Sequence, residues 1–526
     1  MEQSPIRFSP IKNKKEVIQM AKVNTKSTHT TKTTNYEGGE AYELSPKAKL
    51  LNLTSTCLLN EPKFYGEFGE TEENILNTAK IVSKKDPKFL LQLSAYLRNE
   101  MYLRSISTYL LVLAANTLES KKYVKEYTPK IIKRADEINE SLAIHLEYFQ
   151  NNGGKAIPNS LKKGIVNSFT NFDEYQFGKY NRKGKVTFKD AIMLTHPKEP
   201  SKIIKKILDD KLEVPYTWEV ELSTKGNKPE VWESLIDSGK LPYMATLRNL
   251  RNILTTGDTG VSDAHIDKVI DFISNDDAVR KSKQFPFRFF SAYKQLAGSE
   301  YGSDGVTHPR VSDVLDALEE AIYISYENIP YMKGTTLIAS DVSGSMDSPI
   351  SRNSSIRQID IGILLGSATH KYTDKSITGC FGNIWKTYSM SKRTAGIISN
   401  VPKIQQKAQE VGWSTNGYKV IEWLNENNKF VDRILIFTDM QLYDSNFGWL
   451  SGSENTIRKE FNKYKQNINP DAKIYMFNLN GYGTVNFPEN DKSVININGW
   501  SDKVLRFIES VEQDPNIQVK YIEENY

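Results

Sequence analysis

Apolar residues recur every three or four positions through most of the chain between residues 36 and 328. This spacing places them on one face of a helix, so it predicts a series of amphipathic helices. Breakers such as Asp86-Pro87 and Gly298 separate the segments. Consecutive helices with short connections are typical of an α-solenoid, although no fixed repeat period is visible. The predicted helices cover residues 72–84, 86–98, 104–118, 121–134, 137–150, 201–210, 229–238, 263–275, 281–297 and 311–327.

The pattern changes after residue 333. Short apolar runs alternate there with helical segments, and this alternation predicts an open, mostly parallel α/β sheet. The first 35 residues are polar and rich in Lys, Thr and Ser, as in a mobile tail. We therefore predict a tail over 1–35, a helical domain over 36–333 and an α/β domain over 334–526. The predicted strands are 335–339, 376–381, 433–438, 473–478 and 493–497, and the helices between them include 354–371, 415–427 and 454–466.

Composition indicates a folded, soluble protein. Of the 526 residues, 39% are hydrophobic and 25% are charged, which excludes disorder of the whole chain. No run approaches the roughly 18 apolar residues of a membrane-spanning helix, and the N-terminus lacks an apolar signal core. We therefore expect a cytoplasmic protein that does not bind membranes. The two cysteines, Cys57 and Cys380, lie far apart, which excludes a disulfide scaffold and a cysteine-based zinc site.

The net charge of +5 is concentrated in one block. Residues 151–198 hold nine Lys or Arg against three Asp or Glu, a net charge of +6, so the rest of the chain sums to −1. Such a local excess indicates contact with a polyanion at one place rather than a generally basic protein.

The first strand of the α/β domain runs into a polar loop with Asp341, Ser343 and Ser345 at alternate positions. These side chains can converge on one point beyond the carboxyl end of a strand, where open α/β sheets bind ligands. A carboxylate with hydroxyl groups suits a hard divalent cation such as Mg²⁺. The alternative is an ordinary polar turn. Two later residues favour the metal, because Thr415 precedes a predicted helix and Asp439 ends a predicted strand.

This set resembles the metal-ion-dependent adhesion site of von Willebrand factor A domains. The resemblance implies that the two serines and the threonine ligate Mg²⁺ and that the two aspartates act directly or through water. It also implies an open coordination position for a carboxylate or phosphate of a partner. Members of that family often have small glycines before the threonine, where this chain has Trp413 and Ser414. That departure changes access to the metal without removing a ligand.

The helical part resembles the TROVE module of Ro autoantigen proteins, over roughly residues 36–328. The resemblance implies a ring of HEAT-type helical repeats that an A-type domain closes. It further implies that small structured non-coding RNA binds outside the ring and that single-stranded ends of defective RNA enter a basic central hole. Each matching segment is loose alone, but four of them in order before an A-type domain are specific. The segments are residues 35–42, 179–198, 241–252 and 283–293.

The basic block contains the first group of candidate RNA-binding residues. Lys179, Arg182 and Lys183 lie close together in sequence, with Tyr180 and His196 nearby. Cations neutralise phosphates, and aromatic rings can stack on bases. Aligning the family pattern puts Lys179, Lys183 and His196 on its RNA-contacting positions. The alternative is a solvated, charged surface.

Three arginines form the second group, since Arg248, Arg251 and Arg288 lie in the two other basic matched segments. In the family these segments line the hole, so the resemblance implies that the arginines hold a single strand. The alternative for each is an ordinary surface ion pair. The phenylalanines of the last segment are expected to be buried helix faces rather than stacking platforms. They are Phe285, Phe287, Phe289 and Phe290.

No catalytic arrangement is visible, so we predict that the protein is not an enzyme. Its six histidines form neither a metal pair nor a Ser/His/Asp arrangement, and no Gly-rich phosphate loop with Lys is present. Ser343 has no base near it in sequence. A third hypothesis, a metal-dependent nuclease, needs further carboxylates around Asp341, and Asp347 is the one candidate.

The predicted function is therefore RNA binding of the Ro type. A monomer would hold a small non-coding RNA on its ring and single-stranded ends of misfolded RNA in its hole, for RNA quality control or delivery to a nuclease. A nuclease or another protein would bind at the metal. The rival hypothesis is a protein-interaction scaffold, in which the solenoid and the metal site both bind proteins and the basic block is only solvated surface.

Overall fold

The structure is a computed structural model. It describes residues 31–57, 70–150, 156–181, 183–301, 303–326, 329, 331–351, 354–390, 396–446, 455–489, 491–500, 505, 508 and 517–526. Helices occupy the first part of the chain, and a six-stranded sheet with its own helices follows.

Every helical segment predicted in the first part contains a helix. Residues 281–297 are divided in two, because Lys283 adopts a left-handed conformation with φ 51°. Several short helices, such as those over 159–180, were missed because few residues leave little room for an apolar spacing to repeat. The 13-residue helix over 243–255 was missed as well, and length does not explain that case. The helices are α1 (Pro46–Thr54), α2 (Glu70–Lys85), α3 (Phe89–Asn99), α4 (Arg104–Ala115), α5 (Val124–Ile131), α6 (Asp136–His145), α7 (Asn159–Ser168), α8 (Glu174–Tyr180), α9 (Phe188–Thr195), α10 (Lys202–Leu208), α11 (Trp218–Lys225), α12 (Pro229–Asp237), α13 (Tyr243–Thr255), α14 (Asp263–Ser274), α15 (Asp276–Ser282), α16 (Pro286–Ala297) and α17 (Val311–Ser325).

The second part is a doubly wound α/β domain. The strands of the described chain, numbered in sequence order, are β1 (Lys32–Thr34), β2 (Glu40–Glu43), β3 (Met332–Asp341), β4 (Thr373–Phe381), β5 (Trp385–Thr387), β6 (Arg433–Thr438), β7 (Lys473–Asn478), β8 (Thr484–Val485) and β9 (Val494–Asn498). The sheet of the second part has the order β5-β4-β3-β6-β7-β9, and all neighbouring strands are parallel except β4 and β5. The later helices are α18 (Gln358–Lys371), α19 (Gly396–Val411), α20 (Tyr418–Glu426), α21 (Ile457–Asn467) and α22 (Ile517–Asn525).

Alternate residues of the strands face opposite sides of the sheet. Ile338 and Phe437 pack in one hydrophobic core with α18 and α19, and that core continues into the first part of the chain. Leu337 and Ile436 pack in a separate core with α20 and α21. Helices therefore cover both faces, as the predicted fold requires.

The α/β domain contacts both ends of the helical series. The last helices, α16 and α17, pack against α18 and α19, while α22 returns to pack against α1 and α3. The strands β1 and β2 form a three-stranded antiparallel sheet with β8. The chain is thus closed on itself, which confirms the predicted fold of a helical ring closed by an A-type domain.

Two boundaries differ from the prediction. The strand β1 and the buried Asn35 lie in the segment assigned to the mobile tail, so that assignment is wrong for residues 32–35. This polar strand is ordered by pairing with β2, and it has no local apolar pattern from which a strand could be predicted. Residues 1–30 of the tail lie outside the described residues. The strand β3 begins at Met332, two residues before the predicted start of the α/β domain. Among the described residues, no helix is both long and apolar enough to cross a membrane.

Candidate functional site

Three of the predicted ligands are buried at the end of β3 and in the loop that follows it. This segment, residues 341–347, is called the metal loop after the predicted metal. Asp341, Ser343 and Ser345 are each almost inaccessible to solvent. Asp341 accepts hydrogen bonds from the Ser343 backbone N–H at 2.9 Å and from the Thr438 hydroxyl at 2.6 Å. The hydroxyl oxygens of Ser343 and Ser345 lie 3.3 Å apart. The loop therefore points a carboxylate and two hydroxyls at one place beyond the end of the strand.

Two other loops bring the remaining predicted ligands to the same edge. The Gly344 N–H donates to the Trp413 carbonyl at 3.0 Å, which joins the metal loop to the segment that carries Thr415. The Thr415 hydroxyl donates to the Gln441 carbonyl at 2.7 Å, and the Gln441 N–H donates to Asp439 Oδ1 at 3.0 Å. Gln441 thus holds both later residues in place.

The electrostatics of this group fit a divalent cation. Burial raises the pKa of Asp341, and burial together with the charge of Asp341 raises the pKa of Asp439. Asp439 Oδ2 is buried and has no hydrogen-bond partner among the described residues. An unpartnered buried carboxylate oxygen costs free energy that a bound cation removes. No three His, Cys, Asp or Glu side chains come together in the described part of the chain, so a metal here depends on the hydroxyls.

The departure before the threonine leaves this arrangement intact. The Trp413 side chain is 53% exposed, and its carbonyl supports the metal loop as described above. The indole therefore stands at the rim of the site and does not replace a ligand.

The candidate residues of the basic block are spread along two helices, with Lys183 and His196 exposed and Lys179 half-buried. Lys179 lies in the last turn of α8, and Lys183 lies in the following loop. His196 caps the far end of α9 in a left-handed conformation, with φ 51°. Eight helical residues separate the two ends of α9, which is about 12 Å at 1.5 Å per residue. A ligand that contacts all three must therefore be extended. Arg182 lies outside the described residues.

The expectation that Tyr180 is available for base stacking is wrong for one face of its ring. The Arg134 guanidinium covers that ring at 4.5 Å from its centre, while Asp136 holds Arg134 through two hydrogen bonds. Lys179 lies 5.7 Å from the same ring centre. The nearby Lys185 is paired with a carboxylate of another helix, so it is a weaker candidate than Lys179 or Lys183.

The three predicted arginines are exposed on two different helices, with Arg248 and Arg251 on α13 and Arg288 on α16. The surrounding protein lowers the pKa of Arg288 by desolvation, and the positive charge of Arg248 lowers it further. Within the described residues, none of the three forms an ion pair with a carboxylate. As expected, the neighbouring Phe287, with Phe289 and Phe290, is buried, whereas Phe285 is only half-buried.

The structure adds cations that the sequence did not single out. Lys133 is exposed, but desolvation lowers its pKa, and the charges of Arg98 and Lys283 add to this effect. Lys283 also lies 5.8 Å from the centre of the Tyr102 ring, which contacts Phe285 at 6.2 Å between ring centres. Lys283 belongs to a matched segment, so the sequence contained a signal for it. Nothing in the local pattern around Lys133 distinguishes it from other surface lysines.

The helical ring and the A-type domain define a class of protein, the TROVE proteins with a C-terminal von Willebrand factor A domain. Residues 40–210 and 205–303 match the TROVE domain, and residues 335–511 match the Ro60 vWA domain. These matches span most of the chain. The chain belongs to the Ro family.

Individual relatives are distant. Telomerase protein component 1 of Mus musculus is 25% identical over 334 residues, which cover 48% of this chain and 13% of that protein. RNA-binding protein RO60 of Caenorhabditis elegans is 22% identical over 288 residues, covering 54% of this chain and 42% of that protein. The chain thus matches less than half the length of these relatives. The crystal structure of the Deinococcus radiodurans RO (RSR) protein covers 89% of this chain and 100% of that one, with a TM-score of 0.59 and 16% identity. At that identity the likeness shows the fold alone.

Proposed function

We propose that the protein binds RNA, with single-stranded ends of misfolded RNA in the ring and a small structured non-coding RNA on the basic block. The observation that carries the proposal is the grouping of cations from distant parts of the chain. Desolvation and the positive charge of Arg248 lower the pKa of Arg288, and neither arginine forms an ion pair with a carboxylate in the described residues. The charge of Lys283 likewise adds to the desolvation that lowers the pKa of Lys133, although the nearby Glu137 carboxylate acts in the opposite direction.

This grouping has a physical consequence. Like charges in a partly desolvated place repel each other, and folding gains nothing from bringing them together. A bound polyanion removes the repulsion and releases its own counterions. Partly buried aromatic side chains beside the cations, Tyr102 and Phe285, also suit unpaired bases, which stack on aromatic rings.

The basic block suits a different RNA shape. Lys183 and His196 are exposed beyond the two ends of α9, and the half-buried Lys179 lies in the last turn of α8. Phosphates of a duplex or stem-loop present charge over such a distance. We propose this surface as the site of the small non-coding RNA, on a monomer in the cytoplasm.

The metal site gives the proposal its second part. Asp341, Ser343, Ser345, Thr415 and Asp439 would hold Mg²⁺, which supplies a Lewis-acidic position for an oxygen ligand. A carboxylate of a nuclease or another protein, brought to this edge of the sheet, would link RNA quality control to RNA degradation. We propose that the chain itself does not cut RNA, and incubation with a labelled single-stranded RNA in Mg²⁺ tests this. Cleavage products that disappear in an Asp341→Asn variant would contradict it.

The main experiment measures binding of a stem-loop RNA with a single-stranded 3′ tail by fluorescence anisotropy at several salt concentrations. Charge reversal of both Arg248 and Arg288 should weaken binding about 100-fold, since each charge-assisted contact contributes about 1.5 kcal/mol or more. The slope of log K against log salt should fall by about 1.4, or about 0.7 for each lost phosphate contact.

The matched control is Lys281→Glu. Lys281 is 80% exposed and forms a pair within its own helix, so its reversal changes the net charge as much as one arginine reversal does, without touching the proposed surface. Equal binding by the wild type and the double variant would contradict the ring site. Binding that does not depend on salt for any variant would favour the protein-scaffold hypothesis.

A further inference from the structure

An open cavity of about 450 Å³ lies between the end of α8 and the start of α11. The segment that joins α10 to α11 forms one of its walls, and it packs on α8 so closely that a Cβ on Gly178 would overlap the Glu213 carbonyl. Val214 of this segment is 78% exposed. The volume lies within the range of about 300–1,000 Å³ that is usual for small-molecule sites, so the cavity is larger than a packing defect.

The three helices around the cavity are held in place by polar contacts. Glu174 of α8 accepts two hydrogen bonds from Lys206 of α10, at 2.9 and 2.7 Å. The Lys211 N–H donates to the Lys206 carbonyl at 2.8 Å and closes the end of α10. The Thr217 hydroxyl accepts from the Val220 N–H at 3.3 Å and caps the start of α11. The cavity is therefore preformed by the fold.

The lining of the cavity combines apolar walls with charged groups. Leu212 and Val220 supply apolar surface, Glu213 and Glu219 bring carboxylates, and the half-buried Lys179 brings an ammonium group. Apolar walls suit the faces of a flat heterocycle, and carboxylates accept hydrogen bonds from its N–H groups. An ammonium group beside them suits a phosphate.

We propose that the cavity receives an unpaired nucleobase of the bound RNA, guanine in preference to uracil, while Lys179 contacts a phosphate of the same strand. The inference rests on the proposed function, in which Lys179 contacts RNA, and it adds a site that reads a base. Guanine presents neighbouring N–H and NH₂ donors on its Watson–Crick edge, whereas uracil presents one N–H between two carbonyl oxygens that the carboxylates repel. Proteins read unpaired RNA bases along this edge, and an unpaired base costs least to turn out of the stack.

The other occupant that two carboxylates attract is a lysine or arginine side chain of a protein partner. Lys179 opposes this occupant, because its own positive charge lines the same cavity. A nucleotide uses both kinds of charge, since its base donates to the carboxylates and its phosphate accepts from the ammonium group. The lining therefore favours the nucleotide.

The test compares the binding of two hairpin RNAs to the full chain, and the hairpins differ only in one unpaired nucleotide, G or U. Fluorescence anisotropy should show about tenfold tighter binding of the G hairpin, the size of one good base-edge contact. Ser223 is exposed on α11 and lines the cavity, so Ser223→Trp fills the cavity from the surface. It should reduce the affinity for the G hairpin to that for the U hairpin. Thr224→Trp is the matched control, since Thr224 is exposed on the same helix outside the lining, and it should keep the preference for G.

Two further measurements examine the base and the carboxylates. 2-Aminopurine in place of the unpaired G should become more fluorescent on binding the wild type, because the base leaves the stack, and should not on binding Ser223→Trp. The double variant Glu213→Gln, Glu219→Gln should lose the preference for G. The readout is the ratio of the two affinities, because removal of negative charges strengthens the binding of any RNA.

Equal affinity of the wild type for the two hairpins would overturn the base site and leave RNA binding by the basic block intact. A preference for G that Ser223→Trp retains would also overturn it, because the base would then be read elsewhere. Binding of argininamide that is lost in Ser223→Trp, without a preference for G, would assign the cavity to a protein partner. Failure of the wild type to bind either hairpin would overturn the proposed function as well.

Discussion

Lys294 on α16 is a buried ammonium group that joins the helical part to the α/β domain. Its Nζ donates to the Ser355 carbonyl at 2.9 Å and lies 3.8 Å from the carboxylate of Asp360 on α18. Asp360 also faces Arg357 at 3.5 Å, and Arg357 pairs with Asp347 of the metal loop at 2.5 Å. Alternating charges therefore connect the loop after β3 to α16, the helix that also carries Arg288.

The variant Lys294→Met breaks this chain while keeping the length of the side chain. Loss of one charge-assisted hydrogen bond costs about 1.5–3 kcal/mol. Burial lowers the pKa of Lys294 and raises that of Asp360, so both charges are held at a desolvation cost that methionine does not have. Because Arg357 still faces Asp360, the loss stays below the roughly 3–5 kcal/mol of a fully broken buried pair. We expect a net destabilisation of about 2 kcal/mol.

Urea unfolding of the wild type, Lys294→Met, Asp360→Asn and the double variant measures this effect. The double variant should be more stable than the sum of the single losses predicts, by about 1 kcal/mol or more, because residues in contact are coupled. Lys281→Met is the control and should change the free energy of unfolding by less than about 0.5 kcal/mol. Additive losses, or a Lys294→Met variant as stable as that control, would show that the contact between Lys294 and Asp360 does not stabilise the fold.

Three further predictions concern RNA, metal and pH. Reversing Lys179 and Lys183 together should weaken binding of a structured RNA without changing the melting temperature, whereas reversal of the already paired Lys185 should have a smaller effect; anisotropy and thermal melting decide this. Added Mg²⁺ should raise the melting temperature of the wild type but not of Asp341→Asn, since only the folded state offers the site; an equal rise in both would contradict the site. Burial raises the pKa of Asp341 and Asp439, so the folded state binds more protons than the unfolded one above about pH 4. Stability in a chelator should therefore fall as the pH rises from about 4 towards neutrality, and the fall should shrink in Mg²⁺ or in Asp439→Asn; a rise in all three samples would show that other groups dominate.

The predicted fold class is confirmed, and the reason lies in local patterns. The strand 433–438 was predicted with the bounds that β6 has, because a continuous apolar run bounded by polar residues marks a buried parallel strand. Most of the long amphipathic helices were predicted because their apolar residues recur every three or four positions, whereas α13 and α19 were missed. Asp341 ends β3 and Ser345 lies in the short 3₁₀ turn that follows, so residues this close in sequence need only local geometry to meet.

Short or polar elements were not predictable in this way. The helix α8 has seven residues and the strand β1 three, which is too few for a period to show. Both are ordered by partners, since Phe177 of α8 packs on Phe188 of α9 in an edge-to-face contact and β1 pairs with β2. Tertiary contacts, rather than their own sequences, supply their stability.

Local sequence patterns were enough to predict the two halves of the fold and the grouping of Asp341, Ser343 and Ser345, because residues within one element or one loop need only local geometry to meet. Which distant residues come together depends on the tertiary fold. The charge of Lys283 adds to the desolvation that lowers the pKa of Lys133, and the Tyr36 backbone N–H donates to the side chain of Gln441, more than 400 residues away. Closure of the ring creates these pairs. It is stabilised by the summed burial of many side chains, a quantity that no single segment of the sequence encodes.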